Sequence, residues 1–217
     1  MILIPVKNLA NAKQRLSSVL DQFSRTELAQ AMLSDVIGKL NSWSHCPQIS
    51  LVTSDAFATD LAYRFNCEVI SDDGCRSETE AIETATRVCE QRGINSTLVI
   101  PGDIPLITVS DLDRILSNAP PVGTVLVPSA DKRGTNAAFR SPAGLFPLRF
   151  GNDSFKPHLA AAQATGKPCA VLSLPGIALD VDTPSDLHQL AVAPGDTRAQ
   201  RLARQWNFDE LPVAANG

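Results

Sequence analysis

The chain has 217 residues, 44% of them hydrophobic, and a formal net charge of −4. That is enough apolar material for the core of one large domain, and the acidic balance excludes a general nucleic-acid binder while leaving room for a locally held small anion. Five cysteines, at 46, 67, 75, 89 and 169, include no CxxC pair and cannot all pair within the chain, so reduced thiols and a cytoplasmic setting are expected.

The opening MILIPV (1 to 6) predicts a buried strand. It is too short for a signal segment, and no apolar run approaches the length of a membrane span, so no membrane partner is expected. Lys7 follows at once, with Lys13 and Arg15 in the next turn or helix. Three cations near a helix N-terminus make a polyphosphate cradle, although lysines on a surface helix are as often simply solvated. Neither GxGxxG nor GxxxxGK occurs, so Rossmann and Walker chemistry do not apply.

Ser24 with Glu27 predicts a capped helix through LAQAMLSDVIGKL, and ISLVT (49 to 53) and EVI (68 to 70) read as further strands. Ser77 with Glu80 opens a second helix, AIETATRVCEQ. The strand TLVIP (97 to 101) runs into PGDIPL, which sets Asp103 just past its end, either facing a ligand or bonding its own turn. After TVLVP (124 to 128) the region 133 to 149 is less regular, and its AAF and GLFPL pieces read as an antiparallel excursion. In KRGTNAAF, Thr135 and Asn136 sit in a glycine-led turn where either can bond an acceptor substrate or tie down the turn. In RFGNDSFKPHLAAA, Gly151 makes a turn, and Ser154 is expected to cap a helix whose amides, with Lys156 and His158 near, would receive a carboxylate or phosphate.

CAVLSL (169 to 174) is the last buried strand expected, and LDVDTP (179 to 184) follows. If LDVDTP is a strand, Asp180 and Asp182 point the same way at a spacing of roughly 6.6 Å. Two such charges repel by about 2.5 kcal/mol at an effective dielectric near 20. With Asp103 they could hold one or two hard divalent cations, Mg²⁺ above all. Thr183, Pro184 and Asp186 then open the helix PSDLHQLAV, and TRAQRLARQW reads as a short final helix whose Leu202 and Trp206 pack on the domain or form a homodimer contact. Histidines and cysteines have no zinc-ligand spacing, and no GxSxG elbow occurs. Strands alternating with helices predict one α/β domain over 1–192 with a mostly parallel sheet covered on both faces, then a C-terminal helix and tail over 193–217. Ligands of such sheets sit beyond the carboxyl ends of the strands.

PVKNLANAKQRL, PGDIPL, GTNAAF, FGNDSFKPH and LDVDTPSDL, in that order, resemble the motifs of the 2-phospho-L-lactate and phosphoenolpyruvate guanylyltransferases of coenzyme F420 biosynthesis. The likeness runs from Met1 to about Leu190. It implies a nucleotidyltransferase-type, GT-A-like three-layer fold and a reaction of GTP, with Mg²⁺, on a small phosphorylated carboxylic acid such as 2-phospho-L-lactate, phosphoenolpyruvate or 3-phospho-D-glycerate. Residue by residue, it implies metal binding by Asp103, Asp180 and Asp182, phospho-acid contacts at Thr135, Gly151 and Ser154, and nucleotide phosphates at Lys7, Lys13 and Arg15, which are also the expected catalytic cations. Glu78 and Thr79 stand at a nucleotide-binding position where the family commonly carries a Leu-Asn pair. That departure keeps two rivals open: a nucleotidyltransferase for another base or acceptor such as a sugar phosphate, and a noncatalytic phosphometabolite-binding relative.

Overall fold

An interior strand of the sheet, β1 (Ile2–Pro5), sets the layers by simple alternation: Ile2 and Ile4 enter one core and Leu3 the other. These and all following features come from a computed structural model that describes residues 1–151 and 153–209. Positions 210–217 of the expected tail lie outside the described residues.

Six more strands follow: β2 (Ile49–Val52), β3 (Glu68–Ile70), β4 (Thr97–Val99), β5 (Gly123–Pro128), β6 (Thr135–Ser141) and β7 (Cys169–Val171). Their order is β3-β2-β1-β4-β6-β5-β7. Only β6 runs antiparallel, to both β4 and β5. The connection at 129–134 is shorter than the crossover of about a dozen residues that parallel neighbours need, so the chain returns directly. The expected antiparallel excursion is therefore real at AAF. GLFPL, however, is not a strand: the Phe146 carbonyl accepts from the buried Arg140 guanidinium at 2.7 Å, and Pro147 has no N–H for a ladder.

Helices α1 (Gln22–Asn41), α2 (Ala56–Arg64) and α4 (Val109–Asn118) cover one face, and α3 (Glu78–Gln91) and α5 (Phe155–Ala164) the other. The short α6 (Pro175–Ala178) leads to α7 (Pro184–Val192) and α8 (Arg198–Gln205). This is a three-layer α/β fold with a mixed, mostly parallel sheet. Among the described residues no helix is long and apolar enough to cross a membrane, and all five cysteines are free.

The caps explain where helices begin. Thr183 and Asp186 form the expected capping box with Pro184 in the first turn. Ser77 accepts from the Glu80 N–H at 3.1 Å as expected, but the Glu80 carboxylate reaches back to Arg76 N instead. α1 starts earlier than the Ser24–Glu27 pair suggested, because Asp21 accepts from Ser24 N at 2.7 Å and is as strong a cap as serine. CAVLSL pairs only through Val171 and lies at the sheet edge, partly exposed, before Leu174 turns inward.

A third apolar cluster lies behind α1. Leu28 and Met32 of α1 meet Leu187 and Leu190 of α7 and Ala199 and Ala203 of α8. α1 is thus apolar on two sides, with Leu33 and Ile37 facing the sheet. The cluster also swallows Leu16 and Val181, both fully buried. Residues 179–182 are extended but form no strand; one bond, Val181 N to Asp103 O at 3.3 Å, holds them to the turn after β4. α8 docks on its own chain: Asp35 of α1 accepts the Arg198 and Ala199 N–H groups at 3.0 and 2.9 Å, and Trp206 packs against the cluster. Asp35→Ala should therefore cost about 1–2 kcal/mol in urea denaturation, with Asp35→Asn, which keeps an acceptor, losing less.

Candidate active site

The segment after β1 bends over the carboxyl ends of the strands in two short 3-10 turns, Leu9–Asn11 and Gln14–Leu16. Neighbouring elements fix it. The Thr53 hydroxyl donates to the Val6 carbonyl at 2.7 Å, and Asp55 accepts from Leu9 N at 2.9 Å while capping α2 through Ala58 N at 3.0 Å. Lys13 joins the two turns in the left-handed region, at φ 55°. That conformation is uncommon for a residue with a Cβ and persists where surrounding contacts demand it.

The contacts are two carboxylates. Lys13 Nζ lies 2.5 Å from Asp103 Oδ2 and 2.8 Å from Asp182 Oδ1, with only 7% of its side chain exposed. Burial alone would depress the ammonium, but Asp103 and Asp182 override it and hold the group firmly protonated. Burial likewise pushes the Asp182 carboxyl up, yet Lys13 and then Arg15, whose Nη1 is 3.7 Å away, keep it below the usual range. Asp180 differs: burial, then repulsion from Asp103 and Asp182, raises it, opposed by Asn136. Asn136 Nδ2 lies 3.1 Å from Asp180 Oδ1 but also 2.9 and 3.2 Å from the Ile177 and Ala178 carbonyls. Two amide hydrogens among three acceptors leave Asp180 short of a full partner.

Glu78, in the first turn of α3, faces the same cleft. Burial, followed by the Asp103 charge, raises its carboxyl to about 7 against the pull of Lys7 and Lys13. A cavity of about 290 Å³ is lined by Lys7, Asn8, Lys13, Glu78, Asp103 and Asp182. A second, of about 440 Å³, shares Lys7 and Asn8 and extends to Ser54, Asp72 and Gly74. A third, of about 450 Å³, shares Asp182 and extends past Arg15 and Asp180 to Arg133 and Gly151. The three meet along one trench with Lys13 and Asp182 near its middle.

The sequence candidates thus divide. Lys7, Lys13, Arg15, Glu78, Asp103, Asp180, Asp182 and Gly151 line the trench. Thr79 lines none of these three cavities; its hydroxyl accepts from Phe150 N at 2.9 Å. Thr135, Asn136 and Ser154 are buried. Ser154 does not cap α5 through its side chain, because its own backbone is helical (φ −66°, ψ −23°) and a capping side chain needs an extended one. Lys156 is exposed, while His158 is buried and bridges the loop at Arg149 to the start of β6. Its Nε2 accepts from Arg149 N at 2.7 Å, so Nδ1 carries the hydrogen and donates to Thr135 Oγ1 at 2.9 Å. Burial, with Arg140 adding to it, lowers this histidine to about 4, so the ring is neutral near pH 7. Asn136 as the holder of Asp180, and Arg133 paired to Asp153 at 2.6 Å on the wall of the third cavity, carry no local signature in the sequence. Among the described residues no three carboxylate, histidine or cysteine side chains converge to hold a metal in this arrangement; the Lys13 ammonium lies between two of them.

The family model for "Guanylyl transferase CofC like" matches residues 1–215. A phosphoenolpyruvate guanylyltransferase of Roseiflexus castenholzii is 34% identical, covering 94% of this chain and 93% of its own. A 3-phospho-D-glycerate guanylyltransferase of Colwellia psychrerythraea is 33% identical over 88% and 90%, and a 2-phospho-L-lactate guanylyltransferase of Methanothermobacter thermautotrophicus 31% over 97% and 92%. Among solved structures, one from Desulfovibrio desulfuricans G20 described as a nucleotide-diphospho-sugar transferase superposes with a TM-score of 0.78 at 17% identity, covering 96% of both chains. A CMP:2-keto-3-deoxy-manno-octonic acid synthetase complexed with CTP superposes at 0.57 with 13% identity, over 88% and 95%. At these identities the superpositions establish the fold, a nucleotidyltransferase-type α/β sandwich.

Glu78 makes the ligand-free protein sensitive to pH. Its folded value is raised, so the folded state holds the proton more tightly and stability falls as pH rises from about 4.5 to about 7. Glu78→Gln should lack this component and be more stable than the parent at pH 8 by about 1–2 kcal/mol, after discounting for partial exposure. Urea denaturation of both proteins at pH 4.5 and pH 8 checks this; equal losses would refute it.

Proposed function

This chain belongs to the CofC-like guanylyl transferase family, and we propose that it transfers GMP from GTP to the phosphate of a small phosphorylated carboxylic acid, releasing pyrophosphate. The observation that carries this reading is the trench in which Lys7, Lys13 and Arg15 face Asp103, Asp180 and Asp182 beyond the strand ends. Phosphoenolpyruvate, 2-phospho-L-lactate and 3-phospho-D-glycerate are the acceptors named for the relatives, and the motif resemblance supports coenzyme F420 biosynthesis as the route served.

Mg²⁺ is proposed at Asp103, Asp180 and Asp182. The donor set fits a hard divalent ion: all oxygens, two of them already sharing one ammonium, and an Asp180 that has only a share of the Asn136 amide as its partner. When bound, the ion supplies charge neutralisation on the reacting phosphate oxygens.

The chain's own residues do the rest by position and charge. Lys7 and Asn8, on the wall shared by the first two cavities, would meet the triphosphate, with Lys13 beside them. Arg15 and Arg133 face the third cavity and would receive the acceptor's phosphate and carboxylate; Asp153 holds Arg133 in place. His158 donates to the Thr135 oxygen, which leaves the threonine hydrogen free to turn toward an acceptor oxygen. A phosphate monoester has its second pKa near 6, so the attacking dianion is abundant at pH 7 and no general base is needed. That agrees with a neutral histidine away from the trench and with cysteines whose thiols burial pushes up. What remains is to bring two anions together and stabilise the leaving pyrophosphate, which is electrostatic work.

One observation favours a second reading, transfer from a different nucleotide: Glu78 stands in the cleft where the family commonly has an uncharged pair. Turnover of GTP, CTP, UTP and ATP against the three phospho-acids with Mg²⁺, followed by product mass, decides between them. A guanylyl diphosphate product is expected, and preference for another base or absence of any product would overturn the reading. Asp103→Asn and Asp182→Asn should each lower pyrophosphate release by about a hundredfold or more while leaving the melting temperature near that of the parent.

A further inference from the structure

Lys13 occupies the position between Asp103 and Asp182 that a cation shared by them would take. We infer that Lys13 is a built-in counter-cation of the ligand-free protein, which must leave these carboxylates before a divalent ion binds, so that ion and nucleotide bind as one coupled event. The inference rests on Asp103, Asp180 and Asp182 being the cation ligands.

Three observations carry it. First, the ammonium touches one oxygen of each aspartate, at 2.5 and 2.8 Å, from a side chain 7% exposed, so it takes the bridging place between the two carboxylates. Second, Lys13 is the closest cation to both: Arg15 is 3.7 Å from the outer oxygen of Asp182 and 68% exposed, and no other basic side chain among the described residues is within ion-pair distance of Asp103. Third, Lys13 also lines the cavity proposed for the triphosphate, alongside Lys7 and Asn8. A rotation of its side chain would then exchange carboxylate oxygens for phosphate oxygens.

Consider a divalent ion arriving alone. It has to expel the ammonium from its two partners and leave a buried charge unpaired, which is strongly unfavourable. A triphosphate in the adjoining cavity removes that penalty by giving the ammonium new oxygens. Metal affinity should then rise when nucleotide is present, and by reciprocity nucleotide affinity should rise by the same factor when metal is present. Removing the ammonium has an unusual consequence. A variant without it should bind the metal more tightly than the parent, although its catalysis suffers.

Manganese titrations read by electron paramagnetic resonance test this on the full chain, for the parent, Asp103→Asn, Lys13→Met and Lys13→Met with Asp103→Asn, with and without α,β-methylene GTP. Without nucleotide, Lys13→Met should bind Mn²⁺ at least about tenfold tighter than the parent, and adding Asp103→Asn should abolish the gain. The nucleotide should raise the parent's Mn²⁺ affinity by a similar factor and that of Lys13→Met far less. Lys13→Gln, which can still donate to one aspartate, guards against misfolding of the methionine variant and should show a smaller gain in the same direction. If neither variant binds Mn²⁺ more tightly than the parent, while the parent with nucleotide binds it in an Asp103-dependent way, the inference is overturned and the metal reading stands. If Mn²⁺ binding depends on Asp103 in no combination, the assignment of the carboxylates fails and takes the inference with it.

Discussion

Burial of Leu16 and Val181 in one apolar cluster is the constraint on which the cleft depends. Neither residue touches chemistry, yet each is locked next to residues that do: Leu16 follows Arg15, and Val181 separates Asp180 from Asp182. Fully burying a side chain of this size is worth about 1.5–3 kcal/mol. With Val181 inward, an extended backbone has no choice but to turn both neighbouring carboxylates the other way. The packing of α1, α7 and α8 behind the sheet thereby sets a charge pattern in front of it.

That pattern is out of balance by intent of position rather than by total charge. Asp103 and Asp182 share one ammonium, Asp180 has a divided amide, and Glu78 half-holds a proton near neutral pH. Each is a different answer to the same difficulty, too many carboxylates in a partly dry place. A site that binds a polyanion and its counter-ion has to be rigid in backbone and adaptable in charge. The bonds from Thr53 and Asp55 to the loop after β1 provide the rigidity, and the titrating and exchangeable groups provide the rest.

Much of this was readable from residue order. Apolar runs located six of the seven strands, because buried parallel strands announce themselves by composition, and Thr183-Pro184-Ser185-Asp186 announced its helix by cap chemistry. Asp103, Asp180 and Asp182 stood out because charge at the end of an apolar run needs a reason. What stayed hidden is pairing between distant positions. Nothing local in KNLANAK says that Lys13 reaches two aspartates 90 and 169 residues away, and nothing local in GTNAAF says that Asn136 reaches Asp180. Whether LDVDTP was a strand was likewise not legible: alternation needs only extended backbone, and a strand needs a pairing partner, which residues 179–182 lack.

The spread of the third cluster along the chain also bears on how the molecule comes into being. Its buried members come from 16 to 32 at one end and from 181 to 208 at the other, while six of the seven strands lie between them and only β1 precedes them. During synthesis the β1, β2 and β3 strands are available early, whereas Val181 and the α7 and α8 residues that complete its cluster come late in the sequence. The first three strands can therefore pair long before the charged cleft can form. Asp103 cannot meet Asp180 and Asp182 until more than four fifths of this sequence has been made, so the cleft is late whatever order the core follows.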